Sequence, residues 1–319
     1  MKKILLLVGA LVIANAVVAQ DKKTYKTKFS GAGKRVVLNL NASAISVEGY
    51  DGDEVIIEAE NVPPIPKEAD GLQPVGAGGI DNTQIGLSVN IVDNHLKIST
   101  VLKGEATYKL RIPRELGLQT KGNNDCYCNE EAAFLIKGLT GDIEVKSNQR
   151  DLEIIDVTGP IVAQSQRGKI KIVFSDKMPE KPSSIAASSD NIDITVPEKA
   201  NVLFSVAVRQ GNFFTDVDLK PYNPPAKPTT KENTSSKGSD SWDNPPAKPT
   251  TRENVLRTTE SLAQMQASVA QYNTEGYAFP SSNDAWFNSS NSIKYSLNEP
   301  KTLIGIQATQ GNVYLRKKK

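Results

Sequence analysis

The sequence predicts an all-β chain wound as a parallel β-solenoid, and three observations lead there. A nine-residue beat runs through its middle, with Gly141, Arg150, Gly159 and Gly168 on one grid. Two residues after each grid point stand Ile143, Leu152, Ile161 and Ile170, and two further on stand Val145, Ile154, Ala163 and Ile172. Phe134 and Ile136 hold the same two places one unit upstream. A strand, a turn and the same again is the mark of a repeat architecture. Second, β-branched runs punctuated by turn residues flank the repeat on its N-terminal side. Third, aromatics are only 6% of residues, so Ile, Val and Leu carry the apolar content, as thin stacked strands require. The apolar positions just named are the expected core.

Nine is odd, and strand side chains alternate with period two. An unbroken strand would therefore turn Ile143 and Leu152 to opposite faces, so a corner or reversal must lie between units, where the glycines sit. A parallel solenoid and an antiparallel meander both satisfy this. The solenoid is favoured because it stacks equivalent residues into Ile/Val/Leu ladders.

Taken in order, the elements begin after a sorting segment over 1–20. Lys2 and Lys3 form its basic start, Ile4 to Ile13 its apolar stretch, and Val17-Val18-Ala19 a small-residue cleavage site. The apolar run is too short for a membrane span, so no span is expected in the mature chain. Strands are expected at 35–41, 44–50 and 54–60, the last two separated by the turn Asp51-Gly52-Asp53. Residues 61–84 read as a long loop with four prolines and the cluster Gly76-Ala77-Gly78-Gly79. Strands resume at 85–92, 96–100 and 106–112, and the repeat proper runs from about 132 to 174.

A looser version of the repeat continues at Asp190-Asn191-Ile192, Gly211-Asn212-Phe213 and Gly311-Asn312-Val313. Steps of about 21 or 22 residues between the first of these suggest two nine-residue units plus a corner per full turn. Residues 220–254 break the pattern: Asn223 to Asn233 recurs almost unchanged as Asn244 to Asn254, and seven of the 18 prolines lie here. That composition predicts an extended, disordered insertion. Leu262, Met265, Val269 and Tyr272 then fit one face of a short helix. Strands return from about 293 to 316. The expected organisation is a sorting segment at 1–20, the solenoid at 21–219, a proline-rich insertion at 220–292 and closing strands at 293–319.

Charge excludes one class of partner. The chain carries 38 Lys+Arg against 36 Asp+Glu, and Lys2 and Lys3 account for the difference. The mature chain is neutral apart from the basic tip Arg316 to Lys319, without the basic stripe and interleaved aromatics that nucleic-acid binding requires.

The strands from Leu38 to Glu60, the stretch Tyr108 to Pro113, the repeat from Gly141 to Ile172 and the ending Gly311-Asn312-Val313-Tyr314-Leu315-Arg316-Lys317 together resemble one known group. They are similar to the putative-adhesin family of bacterial envelope proteins. The resemblance covers most of 30–219 and then 293–317, and leaves 220–292 unexplained. It implies a fold like the right-handed parallel β-helices. It supplies no catalytic residues, and a fold by itself does not fix function.

The residues offer little chemistry. His95 is the only histidine, so any Ser-His-Asp or Cys-His mechanism would have to run through it, and a surface turn is its simpler reading. Cys126 and Cys128 flank Tyr127 and are the only cysteines. After export they can stay as thiols with a local role or form a disulfide, within the chain or between chains. In an extended strand their Cα separation approaches the upper limit for a bridge. Structural zinc would need further ligands that one histidine cannot supply. Carboxylates do not recur after the grid points, which read Asp142, Asp151, Pro160 and Lys169, so a calcium ladder is not expected. Glu130, Glu131, Glu144, Glu153 and Asp156 are the carboxylates from which a glycosidase pair would be drawn, but they read as solvated strand faces.

The expectation is an exported, non-enzymatic adhesin-like or scaffolding protein at the bacterial periplasm, cell surface or exterior. It would use a face of the solenoid to bind an envelope carbohydrate or protein, without a cofactor or metal. A polysaccharide-active β-helix enzyme and an envelope-signalling accessory are the alternatives.

Overall fold

The computed structural model describes residues 22–120, 133–222 and 292–319. The sorting segment, Cys126 and Cys128, the proline-rich duplication and the amphipathic stretch lie outside the described residues. Within them the chain is all-β: one three-residue 3₁₀ turn, Lys67–Ala69, and otherwise strands. The first four are β1 (Lys23–Lys28), β2 (Arg35–Asn39), β3 (Ala44–Tyr50) and β4 (Glu54–Glu60). The proline-rich loop adds a small hairpin, β5 (Val75–Gly76) with β6 (Gly79–Ile80), and β7 (Leu87–Val92), β8 (His95–Thr100), β9 (Thr107–Pro113) and β10 (Gly117–Thr120) follow. The repeat contributes β11 (Phe134–Lys137), β12 (Ile143–Ser147), β13 (Leu152–Val157), β14 (Ile161–Ser165) and β15 (Ile170–Phe174). The remainder is β16 (Ser183–Ala187), β17 (Ile192–Val196), β18 (Val202–Val208), β19 (Phe213–Thr215), β20 (Lys220–Pro221), β21 (Ile293–Leu297), β22 (Thr302–Ala308) and β23 (Val313–Lys317).

These strands form two long sheets of ten and eleven strands. From β10 to β20 the chain alternates between them, and each strand of the repeat pairs in parallel with the next but one. Ile143 lies beside Ile161 and Leu152 beside Ile170, so two nine-residue units make one full turn. The odd period is thereby explained: Ile143 and Leu152 reach the same core from opposite sheets. Each turn, one strand from each sheet, is called a rung below.

The rungs fill the core with one layer of side chains from each sheet. Phe134, Ile136, Ile143, Val145, Leu152, Ile154, Ile161, Ala163, Ile170 and Ile172 are all buried. Between them Glu144, Glu153 and Lys171 point outward, the alternation a half-buried strand demands. Full burial of one such Ile or Leu contributes about 1.5–3 kcal/mol.

The grid glycines have a packing reason. Neither Gly141, Gly159 nor Gly168 has a positive φ. Instead a Cβ on Gly159 would lie 2.0 Å from the carbonyl oxygen of Gly141, and one on Gly168 would lie 2.2 Å from that of Arg150. Stacked corners approach so closely that a methyl group has no room. Arg150, which fills the open place in the grid, is itself buried, and burial holds its pKa below the ordinary arginine value. Its Nη2 donates to the Ala42 carbonyl at 2.5 Å, while Ser147 Oγ accepts from its backbone N–H at 3.0 Å.

At the far end, spatial order departs from sequence order. The ten-stranded sheet runs β15-β17-β23-β19 and the eleven-stranded sheet runs β14-β16-β22-β18. The last rung of the sequence, β22–β23, is thus inserted between β16–β17 and β18–β19. The corner asparagines stack accordingly as Asn191, Asn312 and Asn212: Asn312 N–H donates to Asn191 Oδ1 at 2.8 Å, and Asn212 N–H to Asn312 Oδ1 at 2.9 Å. β21 pairs antiparallel with the other side of β18, and a short connection through Asn298 passes around the start of β18. Asn298 Nδ2 secures that connection by donating to the carbonyl of Ala200 at 2.8 Å.

Sheet edges at the opposite end are blocked. β1 carries lysines at 23, 26 and 28, which discourage pairing with another edge. The open side of β7 is met by side chains, with Asn82 exchanging bonds of 2.8 and 2.9 Å with the Val89 backbone and Thr83 Oγ1 donating to the Leu87 carbonyl at 2.9 Å.

Candidate partner-binding face

The outer face of the ten-stranded sheet carries a continuous row set by strand register. Glu153 lies beside Lys171, Lys171 beside Asp193, Asp193 beside Tyr314, and Tyr314 beside Phe214. The row changes from charged to aromatic as it approaches the end of the coil. Lys171 Nζ and Glu153 Oε1 are 2.6 Å apart. Arg316 Nε donates to both oxygens of Asp193 at 3.0 Å, and its guanidinium lies 5.4 Å from the centre of the Tyr314 ring. The rings of Tyr314 and Phe214 stack at 5.5 Å and 13°. Phe214 is 49% exposed, a large apolar surface left to solvent.

Alternation explains why these side chains face out. Val313 and Leu315 are buried, so Tyr314 between them points away from the core. One position back on β19, Phe213 turns inward and meets Tyr295 at 5.8 Å and 37°, sealing the end of the core. Asn312 Nδ2 donates to the Tyr314 hydroxyl at 3.3 Å and steadies the ring. The result is a flat aromatic surface bordered by a guanidinium and a carboxylate. Such a surface stacks on an apolar face of a ligand while its polar border supplies hydrogen bonds.

Glu130 and Glu131 lie outside the described residues, and the other described residues singled out in the sequence are dispersed. Glu144 lies on β12 of the eleven-stranded sheet, bonded to Gln119 Nε2 at 2.9 Å and to Arg35 at 3.3 Å. Glu153 lies on β13 of the ten-stranded sheet. The two therefore project from opposite sides of the molecule and cannot act as a carboxylate pair on one sugar. Asp156 sits at a bulge with φ 54°. His95 is half-buried at the start of β8, in register with Arg35. Asp51 pairs with Arg114 at 2.6 Å, giving the Asp51-Gly52-Asp53 turn a plain structural task. The glycines of 76–79 let the β5–β6 hairpin lie flat on the sheet, where a Cβ on Gly78 would fall 2.2 Å from that of Ser99. A cavity of about 410 Å³ at residues 65–72 offers only one carboxylate, Asp70. Among the described residues no group of three or more His, Cys, Asp or Glu is placed to hold a metal. Among the same residues no helix is long and apolar enough to cross a membrane.

Sequence reasoning did not find the aromatic pair. Phe214 and Tyr314 directly follow the corner motifs Gly211-Asn212-Phe213 and Gly311-Asn312-Val313, but their contact spans one hundred residues. The signal was the matched spacing of Gln210-Gly211-Asn212 and Gln310-Gly311-Asn312.

What the fold and face define is an all-β coil with long parallel sheets and one aromatic outer surface. No family model matches the chain. No curated protein matches it either. Among solved structures, it is similar to a putative cell adhesion protein from Clostridium sporogenes, with 10% identity, 94% of this chain and 100% of that chain covered, and a TM-score of 0.40. It is similar also to a putative adhesin from Bacteroides fragilis, with 12% identity, coverage of 93% and 97%, and a TM-score of 0.32. A putative adhesin from Parabacteroides merdae shows 9% identity over 61% of this chain and 88% of that one, with a TM-score of 0.27. The structural neighbours are therefore bacterial proteins named as adhesins, the group that the sequence resembles. At these identities and scores, the functional reading of this chain rests on its own residues.

Proposed function

We propose that the protein is an exported, non-enzymatic adhesin-like component of the bacterial envelope that binds a surface carbohydrate through the aromatic end of its ten-stranded sheet. The stacked Phe214–Tyr314 pair beside Arg316 and Asp193 carries this reading. Exposed rings with a fixed orientation stack on the apolar faces of sugar rings, and the Asp193–Arg316 pair offers both an acceptor and a donor to hydroxyls. A protein partner presenting an apolar side chain is the second reading, favoured by the same exposure of Phe214. The separation of Glu144 and Glu153 onto opposite sides removes one carboxylate pair from the polysaccharide-cleaving alternative.

We read the coil as a right-handed parallel β-solenoid, the hand that parallel crossovers almost always take, with 220–292 as an insertion in it. Export rests on the sorting segment at 1–20.

A glycan array probed with the mature chain and with Phe214→Ala tests the binding reading. Retention of at least one glycan by the parent chain, weakened tenfold or more by Phe214→Ala, is the expected result. Equal binding by both chains would remove the face from consideration.

A further inference from the structure

The two rungs at the end of the coil share one register and the same corner residues. Every pairing of β18 with β22 and of β19 with β23 joins a residue to the one a hundred positions later. Leu203, Gln210, Gly211 and Asn212 recur unchanged as Leu303, Gln310, Gly311 and Asn312. Both rungs use equivalent bonds to sit on the rung below. Gln310 N–H donates to Ser188 O at 3.0 Å, and Gln210 N–H donates to Thr309 O at 2.9 Å. The asparagine ladder continues through both in the same way.

The two rungs diverge in charge just beyond their last strand pairs. The inserted rung ends in Arg316-Lys317-Lys318, whereas the outer one continues as Asp216-Val217-Asp218. The two rungs beneath present carboxylates to this segment: Arg316 pairs with Asp193 of β17 at 3.0 Å, Lys317 with Glu198 just after β17, and Lys318 with Asp176 just after β15 at 2.8 Å. Asp216 in turn accepts from the Lys317 N–H at 2.7 Å. An acidic segment in the inserted position would face those same carboxylates with like charge.

Chain connection does not choose between the two arrangements. β18 follows β17 through residues 197–201, and five extended residues span about 16–18 Å. Moving by one rung changes the required reach by about 4.8 Å.

We propose that the place above β16–β17 is a contested slot. β22–β23 holds it because its basic end meets three carboxylates, and β18–β19, which precedes it in the chain, is a built-in competitor for the same slot. With β18–β19 in the slot and the C-terminal rung displaced from the coil, Phe214 lies beside Asp193 without Tyr314 next to it. Displacement of the C-terminal rung therefore dismantles the aromatic face. The inference concerns register and stands apart from what the face binds.

Disulfide trapping in the full chain tests it, with Cys126 and Cys128 replaced by Ser. Ala186 lies beside Gln307 in the observed register and would lie beside Ala207 in the competing one. The pair Ala186→Cys with Gln307→Cys should close in the parent background, and Ala186→Cys with Ala207→Cys should not. Adding Arg316→Glu, Lys317→Glu and Lys318→Glu should shift the majority of cross-linking to the 186–207 pair. A second background, Asp216→Lys with Asp218→Lys, leaves the sequence of the C-terminal rung unchanged, removes only the Asp216 bond to the Lys317 N–H, and should yield both cross-links. Cross-linking at 186–307 alone in that second background overturns the proposal, as does 186–307 alone in the folded charge-reversed chain.

Discussion

At the level of single residues, position within a strand decides what a substitution costs. Ile154 is fully buried, while Glu153 beside it is partly exposed and paired with Lys171. Ile154→Asp is expected to lower the free energy of unfolding by about 4 kcal/mol or more, since it puts a carboxylate in an apolar layer. Glu153→Lys loses one exposed ion pair and should cost no more than about 1 kcal/mol. Urea unfolding of the two variants measures both; equal losses would contradict the facing described. These positions were legible in the sequence because alternation and the nine-residue beat both point to them.

Tyr108 makes a different kind of prediction. Its ring is buried and its hydroxyl donates to the Ile85 carbonyl at 3.0 Å. Burial first, and the Asp81 carboxylate second, push the phenol pKa well above its ordinary value of 10.0. The folded state therefore favours the protonated phenol. Its stabilisation is complete below pH 10 and is lost as pH rises above that value through the folded-state pKa. Tyr108→Phe should cost about 1 kcal/mol at neutral pH and should flatten the decline in melting temperature above about pH 10. An unchanged alkaline decline would assign it to other groups. Nothing in the sequence marked this hydrogen bond, because Ile85 and Tyr108 are 23 residues apart and meet only in the folded chain.

At the level of elements, corners and edges matter as much as strands. Gly159→Ala would drive a methyl group into the Gly141 carbonyl and is expected to cost about 1–3 kcal/mol, the range for overpacking. A thermal melt of this variant checks it, and a melting temperature equal to the parent's would show that the corners can separate. The glycine grid was visible in the sequence, but its cause was not: the need is for close stacking, not for an unusual φ. β1 was missed for an equally physical reason. Its Lys-Thr-Tyr-Lys-Thr-Lys sequence is suited to an edge and lacks the apolar alternation that announces an inner strand. β22 and β23 were recognisable as strands, but not as neighbours of β16 and β17.

For the whole molecule, the stacking order joins the architecture to its proposed use. The parallel sheets supply a rigid face, and insertion of the last rung brings Tyr314 to Phe214. Contacts between residues a hundred positions apart leave no local periodicity, so the sequence could show two similar corners without showing which lay outermost. Asp193 on β17, Glu198 just after it and Asp176 just after β15 supply the missing information by pairing with Arg316, Lys317 and Lys318. Hydrogen exchange of the native chain, resolved by peptide, tests this order most directly. Amides of 303–308 in β22, paired on both sides, should be protected as strongly as those of 161–165 in β14, whereas 213–215 at the end of its sheet should exchange faster. Rapid exchange across 303–308 would place the C-terminal rung outside the coil and contradict the account.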